Sequence, residues 1–232
     1  MNHKHVLLTG GTGGLGLGVT PAVLRQGVAS LTIPYRNPQE VERLKGRLSP
    51  GDLARIQFVP VNLLDEAAVE QMVNRMEAVD VAIHLVGGFS MGATHSYGYD
   101  QWQKDIALNL SSTFLVCKHS LRRMRETGYG RIVTVGSRGA VEPGAQLAAY
   151  CAAKAGVVAL TKAIAAETKG TQITANVVLP SIIDTPRNRN DMGTEQVKQW
   201  VDPASLAQVI CFLASEAAGD LRGAAIPVYG DS

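Results

Sequence analysis

Short apolar runs alternate with longer amphipathic stretches along the chain. Each run is almost continuously apolar, as expected for strands that are covered on both faces. The predicted strands are HVLLT, SLTIP, RIQFVPV, DVAIHLV, GRIVTVG, QITANVVLP and AAIPVY. The predicted helices span residues 15–26, 38–47, 66–78, 99–127, 150–169 and 203–215. Because strand and helix alternate to the end, the pattern predicts an α/β protein: a doubly wound parallel sheet of about seven strands with helices on both faces.

Neither a linker nor a repeat nor a low-complexity tract divides the sequence. We therefore expect one domain that spans residues 1–232. Two segments, 87–98 and 181–201, match neither the strand pattern nor the helix pattern. Both follow predicted strands, so they should lie at the carboxyl edge of the sheet, where open α/β folds bind ligands.

Composition and charge narrow the function classes. The net charge is only +2 at pH 7 and no basic stripe is present, so we expect no nucleic-acid partner. The densest basic cluster, LRRMRE at 121–126, fits the last turn of a helix, where cations complement the helix dipole. The 3 cysteines lack metal-ligand spacing, so we expect reduced, buried thiols and no metal site. The N-terminal apolar run is too short for a signal peptide or a membrane span, which predicts a cytoplasmic protein without a membrane partner.

A glycine-rich loop, TGGTGGLGLG at residues 9–18, follows the first predicted strand. Glycines at a strand-to-helix turn let a pyrophosphate approach the helix N-terminus. The loop has no lysine of the kind found in a phosphate-binding P-loop, which disfavours a nucleotide triphosphatase. Its place at the start of a βαβ series favours a dinucleotide cofactor.

The end of the second predicted strand, IPYRNP, bears on which dinucleotide is bound. NAD-binding folds usually place an acid there to bind the ribose 2′-hydroxyl, whereas this strand is followed by Arg36. A guanidinium attracts a 2′-phosphate and can bind it bidentately. We therefore expect NADP(H), with NAD(H) as the alternative. In the competing interpretation, Arg36 only pairs with Glu40 across one helix turn.

Ser137, Tyr150 and Lys154 form a third group of interest. Tyr150 and Lys154 are four residues apart, so on a helix they share one face. A tyrosine has an unperturbed pKa of about 10. A neighbouring ammonium favours the phenolate, so the spacing predicts a lowered pKa and an acid/base role for Tyr150.

The glycine motif Thr9-Gly10-x-x-x-Gly14-x-Gly16, Ser137 and the Tyr150-x-x-x-Lys154 pair occur in the order and spacing of one family. The sequence resembles the short-chain dehydrogenase/reductase family over essentially its whole length. The resemblance implies a Rossmann-type fold and hydride transfer to or from a nicotinamide. It also implies a catalytic tetrad, whose members are Asn109, Ser137, Tyr150 and Lys154.

The resemblance gives each tetrad residue a role. Tyr150 exchanges a proton with the substrate oxygen, and Lys154 lowers the pKa of Tyr150 and holds the nicotinamide ribose. Ser137 hydrogen-bonds the substrate oxygen, and Asn109 organises a water that connects Lys154 to solvent. The residues that the resemblance places at the cofactor are Thr9, Gly10, Gly11, Thr12, Gly14, Leu15, Gly16, Arg36, Asn62, Leu63, Val86, Gly87, Tyr150, Lys154, Pro180, Ile183 and Thr185.

Several positions depart from the family pattern. His84-Leu85-Val86-Gly87 stands where the family has Asn-Asn-Ala-Gly, and we interpret His84 as a core histidine. Asn62 replaces a frequent aspartate beside the adenine, and Ser181 replaces the glycine after Pro180. HLVGGFS and DTPRNR are similar to dihydropteridine reductases over short stretches, although the serine departs from that subgroup.

Segment 184–201 is the predicted substrate lid, and it is short for the family. The side chains predicted to form an apolar pocket wall are Phe89, Met91, Val141, Leu147, Ile182 and Trp200. The substrate is a small-molecule carbonyl or alcohol: a ketone, a 3-oxoacyl chain or a pterin-like ring. Arg138, Arg187 and Arg189 are interpreted as solvated loop residues.

Two other functions compete with this one. A serine hydrolase is excluded because Val135-Gly136-Ser137 lacks the first glycine of G-x-S-x-G and no Asp…His pair follows. The alternative function is that of a catalytically silent sensor or scaffold that binds NADP(H). Because the helices with Asn109 and Tyr150 commonly pack between subunits in the family, we expect a homotetramer, with a homodimer as the alternative.

Overall fold

The computed structural model describes residues 1–231, which form one seven-stranded parallel sheet in the order β3-β2-β1-β4-β5-β6-β7. The strands are β1 (His5–Thr9), β2 (Ser30–Tyr35), β3 (Ile56–Pro60), β4 (Val81–His84), β5 (Tyr129–Val135), β6 (Gln172–Pro180) and β7 (Ala225–Val228). The strand order reverses between β1 and β4, which makes this pair the point where doubly wound sheets bind their ligands. The predicted fold class, a Rossmann-type sheet, is confirmed.

Helices cover both faces of the sheet. They are α1 (Gly16–Leu24), α2 (Pro38–Lys45), α3 (Pro50–Leu53), α4 (Glu66–Arg75), α5 (Tyr99–Ile106), α6 (Ser112–Thr127), α7 (Ala148–Glu167), α8 (Pro186–Met192) and α9 (Pro203–Leu213). A π-helical turn, Ala107–Ser111, joins α5 to α6, so the helix predicted over 99–127 is continuous. The short helices α3 and α8 were not predicted.

The core consists of two apolar layers, one on each face of the sheet. In β1, Val6 and Leu8 point into the layer with α1 and α9, while Leu7 points into the layer with α4 and α6. Side chains of a strand alternate between faces, so a strand that is buried on both faces must be apolar at every position. This alternation explains the uninterrupted apolar runs of the sequence.

Helix α7 is the one helix in residues 1–231 whose length and apolar composition match a membrane span. A core helix satisfies the same criterion, and α7 packs on β6 and α5. The helix also contains Lys154, whose side chain is buried. Nothing beyond length and composition therefore indicates a membrane-spanning role.

The basic cluster at 121–126 falls in the last two turns of α6, as predicted, but its contacts extend to the neighbouring helix. The guanidinium of Arg123 donates to backbone carbonyls at the end of α4, those of Val73, Asn74, Met76 and Glu77. The last carbonyls of a helix lack amide partners within the helix, although that of Val73 also accepts from the Met76 backbone at 3.2 Å. Arg123 therefore caps α4, and the cluster is structural. The cysteines are free and buried, as expected.

Candidate active site

The carboxyl ends of four central strands converge on one edge of the sheet. The glycine loop follows β1, residues 85–87 follow β4, Ser137 follows β5, and segment 181–201 follows β6. The sequence pattern predicted this position, at the carboxyl edge of the sheet, for segments 87–98 and 181–201. The structure therefore places the predicted tetrad and the predicted dinucleotide loop on the same side of the molecule.

The glycine loop has a tight geometry that only glycine permits at its end. A Cβ on Gly16 would lie 2.3 Å from the carbonyl oxygen of Gly10, which no side chain tolerates. Gly10 itself has a φ of 74°, and a Cβ there would lie 3.1 Å from the backbone nitrogen of Val86. The loop thus packs directly on the end of β4. Helix α1 begins at this edge of the sheet without a side-chain cap at Leu15, and a helix N-terminus favours an anion. The amides of Leu17 and Gly18 donate within the loop, to the carbonyl oxygens of Gly13 and Leu15.

Helix α2 fixes the same loop from the other side. The Thr12 hydroxyl donates to Glu40 Oε2 at 3.1 Å, and Arg43 Nη2 donates to the Thr12 carbonyl oxygen at 3.1 Å. Glu40 and Arg43 lie 4.0 Å apart as an i,i+3 pair. Arg43 was not predicted as a site residue. Its i,i+3 spacing from Glu40 indicates an ion pair, but it does not indicate that both side chains contact the glycine loop.

Arg36 is exposed just beyond β2 and makes no hydrogen bond or ion pair with residues 1–231. The competing interpretation, in which Arg36 pairs with Glu40, is therefore wrong: the Glu40 carboxylate instead accepts from Thr12. Asn62 is also exposed, and its Oδ1 accepts from the backbone of Leu64 at 3.2 Å, which forms a turn beside the buried Leu63.

His84 is a core histidine, as predicted. It is buried at the end of β4, where Nδ1 lies 2.7 Å from Thr9 Oγ1 and Nε2 lies 3.4 Å from Ser112 Oγ. Loss of solvent, and secondarily the charge of Lys154, lowers the pKa of His84 to about 3. The ring is therefore neutral at physiological pH, and it ties β1 to β4 and α6 at the switch point of the sheet.

Ser137 and Tyr150 are brought together at this edge. Ser137 ends the extended chain after β5, and its Oγ accepts from the backbone of Gly139 at 3.1 Å. Tyr150 lies in the first turn of α7, beside Ser137: a Cβ on Gly139 would lie 3.5 Å from Ser137 Oγ and 3.8 Å from Tyr150 Cε1. The Ser137 hydroxyl acts to lower the pKa of the phenol. The ring of Phe89 meets the Tyr150 ring edge-on, with a centroid distance of 5.9 Å and an interplanar angle of 62°.

Lys154 lies one turn further along α7, on the same side as Tyr150. Its side chain is only 4% exposed, and Nζ donates to the Val135 carbonyl oxygen at 2.9 Å. The ammonium is 5.9 Å from the centroid of the Tyr150 ring. Burial lowers the pKa of Lys154 to about 8, because the charged form loses its hydration.

The prediction of a lowered pKa for Tyr150 is wrong for this structure. Burial raises the pKa of the Tyr150 phenol, and the hydrogen bond from Ser137 only partly opposes that shift. The ammonium of Lys154 donates to a backbone carbonyl rather than to the phenol. Helical spacing establishes a shared face, but contact and solvent access decide the direction of a pKa shift.

Asn109 lies in the π-helical turn and is fully buried. Its Nδ2 donates to the carbonyl oxygens of Gly88 at 2.8 Å and Asp105 at 2.9 Å, and its Oδ1 accepts from the Gly88 backbone at 3.2 Å. A Cβ on Gly87 would lie 2.8 Å from Asn109 Oδ1 and 3.0 Å from Lys154 Nζ. Gly87 therefore separates two tetrad residues, and no larger residue would fit between them.

The segment after β6 contacts the glycine loop. Thr185 Oγ1 caps α8 by accepting from the backbone of Asn188 at 3.2 Å, and a Cβ on Gly14 would lie 3.1 Å from Thr185 Cβ. Ile183 forms a parallel bridge with Val201. Two groups of predicted cofactor residues, one after β1 and one after β6, thus meet where Gly14 packs on Thr185. Pro180 is the last residue of β6.

The predicted pocket residues differ in exposure, and three of them, Phe89, Leu147 and Ile182, are half-buried. Met91 and Val141 are 59% and 53% exposed, whereas Trp200 is only 8% exposed, beside Gly230. Nearby arginines are already paired with acids on their own segments. The pairs are Arg138 with Glu142 at 2.7 Å, Arg187 with Asp191 at 3.4 Å and Arg189 with Asp184 at 2.5 Å.

Known proteins share both this fold and this sequence pattern. A family model described as short chain dehydrogenase matches residues 4–196. The D-beta-hydroxybutyrate dehydrogenase of Cupriavidus necator is 29% identical over 248 residues, which cover 97% of this chain and 95% of that protein. The 3-oxoacyl-acyl-carrier-protein reductase MabA of Mycobacterium tuberculosis is 30% identical, with 98% and 92% of the two chains covered.

Among solved structures, an actinorhodin polyketide ketoreductase variant with NADPH superposes with a TM-score of 0.90. It is 26% identical, and the match covers 99% of this chain and 98% of that one. Fold, site and sequence define a Rossmann-type oxidoreductase. The chain belongs to the short-chain dehydrogenase/reductase family, whose members interconvert alcohols and carbonyls of small-molecule substrates with NAD(P).

Proposed function

We propose that this protein reduces a small-molecule carbonyl with NADP(H), or oxidises the corresponding alcohol, with Tyr150 as the proton donor or acceptor. One observation carries the proposal. The Tyr150 phenol lies beside the Ser137 hydroxyl, which acts to lower the phenol's pKa, and Lys154 is buried one turn away, at the sheet edge that holds the glycine loop. Four tetrad positions converge around Gly87 and the end of β5, as a shared reaction centre requires.

The residues present fit a dinucleotide. The N-terminus of α1, which no side chain caps, suits a pyrophosphate, and Gly10 and Gly16 place no side chain between the loop backbone and the start of the helix. Within this loop, Thr12 is held by Glu40 and Arg43. A bound nicotinamide supplies the hydride.

The chain itself supplies the proton and the positioning. Because the pKa of Tyr150 is raised, the phenol is protonated at neutral pH and can give its proton to the oxygen of a reduced carbonyl. The Ser137 hydroxyl stabilises the charge that develops on that oxygen. Lys154 and Asn109, which meet at Gly87, hold the nicotinamide ribose and the adjoining backbone. When Tyr150 has donated, the charge of its phenolate is offset by Lys154.

Charge near the adenosine end supports NADP(H) over NAD(H). Arg36 is exposed and unpartnered among residues 1–231, and Arg43 reaches the glycine loop. Two cations near the expected 2′-position favour a phosphate there. Glu40 opposes this preference, because its carboxylate also lies at Thr12. Its pairing with Arg43 reduces the net negative charge that a phosphate would meet.

The substrate that fits best carries no additional anionic group near the carbonyl. The arginines that border the cleft are paired with acids, and the exposed side chains Met91 and Val141 offer apolar surface. Ketones, 3-oxoacyl chains and pterin-like rings meet this requirement. The resemblance to a 3-oxoacyl-acyl-carrier-protein reductase agrees with this range. The resemblance to a hydroxybutyrate dehydrogenase does not, because hydroxybutyrate carries a carboxylate close to its alcohol.

The chain is further proposed to act as one domain with a lid at 184–201, in the cytoplasm, as a homotetramer or else a homodimer. Phe114, on α6, is 48% exposed, and several alanines of α7 face solvent, which would suit a contact between subunits. Sedimentation at micromolar concentration distinguishes the two assemblies.

Turnover separates an enzyme from a catalytically silent sensor or scaffold. NADPH oxidation should be followed with a panel of ketones, 3-oxoacyl thioesters and quinones for the wild type, Tyr150→Phe and a control, Tyr99→Phe, which alters an exposed tyrosine. We expect turnover by the wild type and the control, and a loss of about 100-fold or more in Tyr150→Phe. A wild type as inert as Tyr150→Phe, with NADPH still bound, would establish the silent alternative.

A further inference from the structure

Asp105 is a buried carboxylate outside the tetrad. It is only 3% exposed, and it lies in α5 one turn before Asn109. Its Oδ2 accepts from the Tyr97 hydroxyl at 2.5 Å, and its Oδ1 accepts from Ser90 Oγ at 3.2 Å and Gln101 Nε2 at 3.2 Å. A buried carboxylate is tolerated only when such donors replace water. The pKa of the Tyr97 phenol is raised by loss of solvent and by the hydrogen bond to Asp105, so Tyr97 remains a donor.

The donors to Asp105 include two residues of segment 87–98, the stretch between β4 and α5. Ser90 lies near its beginning and Tyr97 near its end, so one carboxylate bridges most of the segment. Gln101 strengthens the bridge by donating to Ser90 Oγ at 2.9 Å. Asn109 holds the segment at Gly88 through its own two hydrogen bonds. The α5 end and the π-helical turn therefore hold the segment at three points.

Phe89 lies between the points held by Asn109 and Asp105. Its ring packs edge-on against the ring of Tyr150, so the segment forms one wall of the site around the phenol. The backbone of Gly92 also donates to the Gln146 carbonyl oxygen at 2.9 Å, which joins the segment to the chain just before α7. A shift of segment 87–98 would therefore move the surroundings of Tyr150.

We propose that Asp105 is a positioning residue: its carboxylate holds segment 87–98 through Ser90 and Tyr97, and thereby holds Phe89 against Tyr150. This inference rests on the proposed function, in which Tyr150 exchanges the proton. The carboxylate has no contact with the glycine loop, so its removal alters the substrate side of the site and leaves the adenosine side intact. Because Tyr97 and Asp105 act through one hydrogen bond, their effects on turnover are not additive.

The test compares Asp105→Asn, Tyr97→Phe and the double variant with a matched control, Asp100→Asn, which makes the same change at an exposed position of α5. Steady-state kinetics give kcat and KM for the carbonyl, and fluorescence titration gives the Kd of NADPH. We expect kcat/KM to fall about 10-fold or more in each single variant and no further in the double variant, since a displacement of about 1 Å costs about 100-fold. The Kd of NADPH should stay within about twofold.

Tyr97→Phe removes only an oxygen at the rim of the site, so it remains informative if Asp105→Asn folds poorly. Amide hydrogen exchange, which needs no turnover, should show faster exchange in residues 87–98 of Tyr97→Phe and unchanged exchange in α7. Equal loss of kcat/KM and NADPH affinity, unchanged kcat/KM in Tyr97→Phe, or multiplicative effects in the double variant would each overturn the proposal. A wild type without turnover would instead count against the proposed function. The hydrogen-exchange result would then decide only whether Asp105 holds segment 87–98.

Discussion

Gly87→Ala is the substitution that most sharply probes the meeting of Asn109 and Lys154. The added methyl carbon would lie 2.8 Å from Asn109 Oδ1 and 3.0 Å from Lys154 Nζ. Favourable contacts begin at about 3.5 Å, so the Asn109 amide would have to retreat by about 0.7 Å. That amide is fixed by hydrogen bonds to Gly88 and Asp105, and Lys154 is fixed to the Val135 carbonyl, so neither group can move freely.

The expected cost follows from these constraints. Overpacking a rigid site costs about 1–3 kcal/mol. For a chain of this length, that loss lowers Tm by about 2–12 °C. Displacement of Lys154 and Asn109 should also reduce kcat about 10- to 100-fold, because orientation errors near 1 Å have effects of this size.

Gly98→Ala is the matched control, because a Cβ at Gly98 meets nothing within 4 Å and the φ of this residue is −65°. Calorimetry and NADPH oxidation would be measured on both variants. If Gly87→Ala matched Gly98→Ala in Tm and in kcat, the crowding of Asn109 and Lys154 around Gly87 would be refuted.

Three further outcomes are expected. Arg36→Asp should weaken NADPH binding more than NADH binding, and Glu40→Gln should strengthen NADPH binding. Each change in NADPH affinity should be about 3- to 10-fold in paired titrations of the two cofactors. Equal changes for NADPH and NADH would contradict the charge argument. The pKa of Lys154 is about 8 in the folded protein and 10.5 in its ordinary state. Between these pH values the unfolded chain binds this proton more than the folded protein does, so the stability of the fold should rise with pH from about 8 to 10.5. Denaturant unfolding of wild type and Lys154→Met from pH 7 to pH 10 should reveal this rise as a difference of up to about 1.4 kcal/mol per pH unit. The folded pKa of His84, about 3 against 6.5, means that stability should fall as pH drops below about 6.5, and a His84→Gln variant should lose that dependence.

The inner strands of the sheet could be predicted because they are buried on both faces. Leu7 and its neighbours Val6 and Leu8 enter opposite layers, so their run is apolar throughout and easily recognised. Helix α8 could not be predicted in this way. Its sequence, PRNRNDM, has no apolar face that would reveal a helix. The helix starts instead because Thr185 caps it and Pro186 occupies its first position.

The proximity of the candidate site residues could be predicted from the sequence, but the direction of their pKa shifts could not. Spacing and family resemblance identified Ser137, Tyr150 and Lys154, and the structure places them together. The pKa of Tyr150 was predicted in the wrong direction because burial is a property of the assembled fold. Asp105 was missed for a related reason: its partners in segment 87–98 come from a stretch without a repeating pattern.

The most direct test of the central claim is a double-mutant cycle on Ser137 and Tyr150. Ser137→Ala, Tyr150→Phe and the double variant would be compared with wild type for kcat/KM of carbonyl reduction by NADPH, with the Kd of NADPH as the control for folding. If the two hydroxyls act as one proton-delivering unit, the double variant should be no slower than Tyr150→Phe alone. Independent, multiplicative losses, or a Tyr150→Phe variant as active as wild type, would contradict the account.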